Sequence, residues 1–223
     1  YLVVDSQQRS FITESFRSIR TNLEYMAPDI KSKIILITSN RPGVGKTFCS
    51  INTGAILAKG GKKVLIIELD LHKSKIQTAL NVSSDFGMST LLIGKSSPQE
   101  SIIRTSIENL DVILAGHSPP NASELLLSNH LPALLEHTKK NYDYIIVDTP
   151  PMGIISDALV LMKYSDVNLF ILNTKQSPRE GLRFAHTVVT NNKIDRFGFI
   201  INNVKQRYSK YYYKGYKYTY GNS

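Results

Sequence analysis

Six short runs of almost purely apolar residues constrain the fold most: "KIILIT" (33–38), "KVLII" (63–67), "LDVIL" (110–114), "DYIIV" (143–147), "VNLFIL" (167–172) and "FGFII" (197–201). A strand with one wet face alternates apolar and polar residues, whereas a continuous apolar run suits a parallel strand covered on both faces. Helical stretches lie between the runs. In "FCSINTGAILAKGG", Phe48, Ile51, Ala55 and Ala58 share one helical face, and Gly60–Gly61 closes the helix. Strand alternating with helix implies right-handed crossovers and an α/β fold, a mostly parallel sheet flanked by helices. A chain of 223 residues is long enough for one such domain with a large core, and neither a repeat nor an interdomain linker interrupts it.

The first run leads straight into "SNRPGVGKTF" (39–48). The phosphate-loop pattern is G-x-x-x-x-G-K-[ST], and Gly45, Lys46 and Thr47 fit its end while Asn40 holds the place of the first Gly. After a buried strand the chain must turn sharply into a helix, whose free N–H groups and dipole favour an anion. Pro42, Gly43, Val44, Gly45, Lys46, Thr47 and Phe48 are therefore the candidate nucleotide-binding residues. Gly43 and Gly45 let the backbone wrap a phosphate, Lys46 neutralises the β/γ oxygens, and Thr47 offers a hydroxyl to Mg²⁺.

Two more strand ends carry acid. "VLIIELDLHK" (64–73) ends with Glu68 and Asp70, expected on one face at the rim where parallel sheets bind ligands. "YDYIIVDTPP" (142–151) closes an apolar run with Asp148, a Walker-B pattern that holds Mg²⁺ directly or through water. Together these strand ends predict a Mg·ATP site. The five histidines show no metal-ligand spacing. Cys49, the only cysteine, excludes an internal disulfide and is expected in the core.

The two flanks differ from the domain. In "ITESFRSIRTNLEYM" (12–26), Phe16, Ile19 and Leu23 share one helical face, with Glu14, Arg17 and Arg20 opposite. At the other end, "YSKYYYKGYKYTYGNS" (208–223) holds seven of the twelve tyrosines and no aliphatic residue to build a core, so a mobile tail is expected. The net charge of +9 is concentrated there. Lys205, Arg207, Lys210, Lys214 and Lys217 supply five charges, leaving +4 for residues 1–204, so the balance does not call for nucleic acid. No run reaches the roughly 18 apolar residues of a membrane span. The chain opens at Tyr1 without Met, as a piece of a longer protein would.

The set "RPGVGKT", "LIIELDLHK" and "IIVDTPP" resembles the Walker A, A′ and B motifs of the bacterial tyrosine kinases (BY-kinases), cytoplasmic domains attached to polysaccharide co-polymerases of the Wzc type. "GHSPPNASELL" (116–126) is similar to the segment after a middle strand in that family. "ESFRSIR" matches its E-x-x-R-x-x-R oligomerisation motif through Glu14, Arg17 and Arg20, and the tail matches its autophosphorylated cluster. The resemblance implies a P-loop fold of the MinD/ParA-like type over residues 1–204 and a phosphorylated tail over 205–223, with ATP and Mg²⁺ as cofactors. It makes Lys46, Glu68, Asp70 and Asp148 the catalytic set, with Glu68 as base toward the incoming tyrosine. Thr47, Asp70 and Asp148 would surround the metal, and Asn202 would contact the base. Tyr208, Tyr211, Tyr212, Tyr213, Tyr216, Tyr218 and Tyr220 would receive phosphate in trans. The implied partners are further copies of the chain in a ring, a transmembrane co-polymerase region, fused or separate, and a tyrosine phosphatase. The implied place is the inner face of the bacterial plasma membrane, and the implied role is regulation of capsular or exopolysaccharide synthesis and export.

This chain departs from the family where D-x-D-x-R becomes Glu68, Asp70 and His72, and where Asn203 replaces a usual Arg. Glu68 reaches about one methylene further than Asp. His72 is mostly neutral at pH 7 where Arg is permanently charged, with Lys73 beside it. Two other readings share the loop. One is a MinD/ParA-like switch ATPase, with Arg41 near the place of that family's signature lysine. The other is a non-catalytic module that binds ATP to organise an export complex.

Overall fold

The computed structural model describes residues 2–4, 10–71, 74–153, 157–176 and 178–205, with only the backbone described at 157 and 158. His72, Lys73 and all seven tail tyrosines lie outside the described residues. In chain order the elements are α1 (Phe11–Met26), β1 (Lys33–Thr38), α2 (Lys46–Lys59), β2 (Val64–Glu68), α3 (Ile76–Leu80), α4 (Met88–Leu92), α5 (Pro98–Ser101), β3 (Ile103–Arg104) and β4 (Leu110–Ile113). There follow α6 (Ala122–Leu126), α7 (His130–Lys139), β5 (Tyr144–Asp148), α8 (Asp157–Leu161), β6 (Val167–Asn173), α9 (Pro178–Asn192) and β7 (Phe197–Asn202).

The strands form one sheet in the order β3-β4-β2-β5-β1-β6-β7. All pairings are parallel except β3 with β4, a two-residue edge that the apolar pattern does not announce. Successive side chains on each strand serve opposite layers. Ile35, Ile37, Val64, Ile66, Val112 and Ile146 enter the core beneath α1 and α2. Ile34, Leu36, Leu65, Ile67, Ile145 and Val147 enter the core shared with α4, α6 and α7. This two-sided burial is why the runs lack alternation.

Strand order then positions the chemistry. β5 is inserted between β1 and β2, so Asp148 at its end stands beside Ile37 on one side and Glu68 on the other. The phosphate loop and the acidic loop after β2 thus converge on one residue. α2 differs from its expected single apolar face: every residue from Cys49 to Ala58 is buried. The reason is α1, which lies along the outer side of α2 and contributes Phe16 and Leu23 to the same core. Ser10 caps α1, its hydroxyl accepting the N–H of Thr13 at 3.1 Å. Among the described residues no helix is long and apolar enough to cross a membrane.

Candidate active site

α2 begins without a side-chain cap. Gly45 supplies its N-cap at φ 104°, a conformation that disfavours any side chain. The first-turn N–H groups are thereby left to a ligand, the arrangement that binds phosphate. The loop is braced from behind. Asn202 at the end of β7 donates from Nδ2 to the Val44 carbonyl at 2.9 Å, and Asn173 at the end of β6 donates to the same oxygen at 3.4 Å. A Cβ on Gly45 would lie 2.2 Å from Asn202 Nδ2. Asn40 is accommodated because it does not adopt positive φ and its amide lies toward Gly181 of α9, outside the loop. Arg41 makes a two-pronged ion pair with Glu180, Nη2 lying 2.7 Å from each carboxylate oxygen.

Lys46 is 7% exposed. Burial lowers its pKa and Lys75 lowers it further, while Asp148 and Asp70 pull it back up. Asp148 is buried and its pKa is raised to about 6, chiefly by desolvation, with the Glu68 charge adding to the rise and Lys46, Thr47 and Ser50 opposing it. Ser50 donates to Asp148 Oδ1 at 3.0 Å. Asp148 Oδ2 is buried with no hydrogen-bond partner among the described residues, and the Thr47 hydroxyl acts with Lys46 and Ser50 to lower the pKa of the carboxyl. A buried carboxylate oxygen beside a threonine hydroxyl and a lysine suits a hard cation carrying phosphate oxygens. Among the described residues no three His, Cys, Asp or Glu side chains are grouped so as to hold a metal ion.

Glu68 is differently placed. Its Oε1 accepts the N–H groups of Lys75 (2.7 Å) and Ile76 (3.1 Å), and its Oε2 accepts the Ser74 hydroxyl (2.8 Å) and the Ala115 N–H (3.1 Å). Both oxygens are saturated, and the residue is 1% exposed. The base role expected for Glu68 does not fit this geometry. The residue is a clamp joining β2, the start of α3 and the end of β4. Asp70 lies past the strand end, half-exposed, and among the described residues its carboxylate has no hydrogen bond or ion pair. The ring of Phe48, counted with the nucleotide residues, instead packs edge-on against Phe16 at 5.9 Å and belongs to the α1–α2 contact. Asn202 acts on the loop backbone through Val44, a contact the sequence reading did not assign.

Sequence reasoning missed Ser50, Asn173, Ser74 and Lys75. Ser50 follows Lys46 by one helical turn, and Asn173 closes an apolar strand as Asn202 does, so spacing and position were the available signals. On α1, Arg17 is paired with Glu14 at 2.8 Å. Arg20 lies over the end of α2, where a Cβ on Gly60 would be 3.0 Å from Nη1.

A glycine-entered, uncapped helix after one parallel strand, with a buried aspartate ending the next, defines a P-loop nucleoside-triphosphate-binding domain. An AAA-domain family model matches residues 32–196. The chain is 32% identical over 97% of its length to the tyrosine-protein kinase YwqD of Bacillus subtilis, covering 92% of that protein. It is 35% identical over 95% of its length to the tyrosine-protein kinase etk of Escherichia coli, but spans only 29% of it. The chain belongs to the bacterial tyrosine kinases. The solved kinase domain of Escherichia coli ETK superposes with a TM-score of 0.87 at 30% identity, covering 92% of this chain and 80% of that one. MinD of Pyrococcus horikoshii, solved with Mg-ADP, shares the fold alone, with a TM-score of 0.66 at 24% identity over 78% of this chain and 72% of that one.

Proposed function

We propose that this chain transfers the γ-phosphoryl group of ATP to tyrosine, its own tail tyrosines in trans among them. The observation that carries the reading is the buried, unpartnered Oδ2 of Asp148, on a carboxyl that Lys46 and Thr47 both act on, in a chain of this family. Thr47 Oγ1 and Asp148 Oδ2 would hold Mg²⁺, which when bound neutralises charge on the β/γ oxygens. Phosphoryl transfer asks a protein chiefly for positioning and charge neutralisation. Lys46 and the first-turn N–H groups of α2 hold the phosphates, and Asn202 and Asn173 hold the loop that presents those groups. Asp70 accepts the tyrosine hydroxyl proton, since Glu68 has no unengaged oxygen. The bond from the γ-phosphorus to the bridging oxygen breaks, the bond to the tyrosine oxygen forms, and ADP leaves.

The wider role follows from the relatives. Kinases of this family occur both as chains of about this length and as parts of longer proteins, which supports work beside a membrane-embedded co-polymerase, fused or separate. One relative of Staphylococcus aureus is named CapB and one of Klebsiella pneumoniae lies in a cps region, which favours control of capsular or exopolysaccharide export at the inner membrane face. A ring of copies and an opposing tyrosine phosphatase complete the reading. Incubation with ATP labelled at the γ-phosphate is the test, with label expected on tyrosine. Release of free phosphate alone would favour a switch ATPase, and bound but unreacted ATP would favour an assembly module.

A further inference from the structure

Residue 52 is an asparagine in the interior of α2, where a carboxamide competes with the helix backbone and favours the helix little. It is fully buried, so its polar atoms need partners. Two come from the beginning of the chain. Asn52 Oδ1 accepts the N–H of Val3 at 2.8 Å and of Val4 at 3.3 Å, 49 and 48 residues earlier in the sequence. Its Nδ2 donates to the Phe48 carbonyl at 2.8 Å. Turned over, the carboxamide would set an NH₂ against two N–H groups and one oxygen against another, so a single orientation serves.

The first residues are thereby strapped along α2. Val4 is buried in the core that α1 and α2 share, with Leu2 and Val3 packed against that core. Lys59, two turns after Asn52 on the same face, donates from Nζ to the Val4 carbonyl at 3.2 Å.

This strap reaches the phosphate site through one peptide group. The Phe48 carbonyl belongs to the peptide unit whose N–H, that of Cys49, donates to the Gly45 carbonyl at 3.0 Å. That bond closes the first turn of α2 on its N-cap glycine, and the N–H groups of this turn are the ones left to phosphate. The contacts therefore run without a break from Val3 through Asn52 and the 48–49 peptide to Gly45. Hydrogen bonds in such a series polarise one another. Unseating the strap would take these two donors from a buried oxygen and open a void where Val4 sits, and both changes loosen the turn.

We propose that Asn52 is a positioning residue for the phosphate loop, and that residues 2–4, seated on it, couple the N-terminal segment to nucleotide binding. This inference rests on nucleotide binding at the loop and adds a control that lies outside the loop motifs. Such coupling is reciprocal. A bound nucleotide tightens the strap, and drawing residues 2–4 away from α2 weakens the nucleotide.

The direct readout is amide exchange at Val3 and Val4, followed by NMR in the full chain with and without saturating Mg·ADP. Nucleotide should slow both amides about threefold or more, beyond any slowing in α7, which packs in the opposite layer and reports general stabilisation. Val4→Asp puts a charge in the core and unseats the strap without altering α2. It and Asn52→Ala should each weaken Mg·ADP about three- to tenfold, and the double variant should lose little more than the worse single one, since both break one series of contacts. A merely structural strap would lower the thermal midpoint in these variants and leave the affinity of the folded protein unchanged, which would overturn the proposal. So would Val3 and Val4 amides that exchange alike with and without Mg·ADP, or that slow only as much as those of α7. That wild-type measurement decides the matter whether or not a variant folds. A wild type that binds Mg·ADP but never labels tyrosine ends the kinase reading, while the exchange result still decides the coupling. A wild type that binds no nucleotide ends both.

Discussion

Glu68 and Asp148 face each other in register across neighbouring parallel strands, yet one carboxylate accepts four hydrogen bonds and the other keeps a buried oxygen bare. Proximity in the sheet does not give them one role. Glu68 is closed off by the backbone of α3 and the end of β4, whereas Asp148 opens toward Lys46 and Thr47.

The two positions should therefore respond oppositely to loss of charge. Glu68→Gln turns an NH₂ toward N–H donors and should cost about 2–4 kcal/mol, since hydrogen bonds to buried charged groups are each worth roughly 1.5–3 kcal/mol. Asp148→Asn should leave the stability of the metal-free protein within about 1 kcal/mol, because a buried charge is removed together with a partner of Lys46. It should nevertheless abolish tyrosine labelling. Glu68→Asp should also lose labelling, as its shorter carboxylate cannot span α3 and Ala115 together. Urea unfolding beside labelling separates these effects. A Glu68→Asp enzyme as active and stable as wild type would show that the clamp is dispensable.

Gly45 and Asn202 make a second coupled pair. Gly45→Ala places a Cβ 2.2 Å from Asn202 Nδ2 at φ 104°, so nucleotide affinity should fall by tenfold or more. Asn202→Ala alone removes the brace on the Val44 carbonyl and should weaken ATP several-fold. In the double variant the clash is gone but the φ strain remains. Its loss should be smaller than the two single losses combined, a coupling that a double-mutant cycle in ATP affinity measures directly. Strict additivity would mean that the brace and the glycine act independently.

The strands were legible because parallel burial writes itself as continuous apolar runs, and the phosphate loop because one strand, one turn and one helix follow in order. The ends of the runs moved by a residue or so. What escaped the sequence was set by contacts distant in the chain. Nothing local to "LIIELDLHK" indicates that Glu68 will meet Ala115, or that its longer side chain consumes the function expected of it. The single apolar stripe expected on α2 failed for the same reason: its outer face is buried by α1, whose position is a tertiary fact. Asn40 looked like a defect in the motif, yet its place in the loop carries no positive φ and demands no glycine.

Without metal or nucleotide, Asp148 should give the protein an unusual pH response. Its folded pKa of about 6 lies above the ordinary 3.8, so the folded state holds this proton more tightly than the unfolded chain. Lowering the pH through 6 should therefore stabilise the metal-free protein through this residue, a gain complete below 3.8. Other carboxylates act as well, so the quantity to read is wild type minus Asp148→Asn. Between pH 7.5 and 5.0 in chelator, the urea-unfolding free energies should shift in favour of wild type by about 1 kcal/mol. A shift of the opposite sign would place the folded pKa of Asp148 below its unfolded value.

The arginines of α1 should separate by mechanism when transfer between copies is measured. Arg17 pairs with Glu14 on a partly exposed face of α1, a pair worth about 0.2–0.5 kcal/mol. Arg20 lies over the carboxyl end of α2, where a cation complements the helix dipole by about 0.3–1 kcal/mol. Arg17→Ala should thus leave the thermal midpoint unchanged, while Arg20→Ala lowers it slightly. An active copy lacking residues 208–223 should label the tail of a Lys46→Met copy. Arg17→Ala in both copies should slow that labelling and shrink the oligomer seen by light scattering. The contrast matters because a loss with Arg20→Ala alone is explained by a loosened α1–α2 contact. A loss with Arg17→Ala at constant stability reports contact between copies. First-order labelling that ignores protein concentration, in a sample shown to be monomeric, would end the scheme of transfer between copies and return the tail to its own subunit's site.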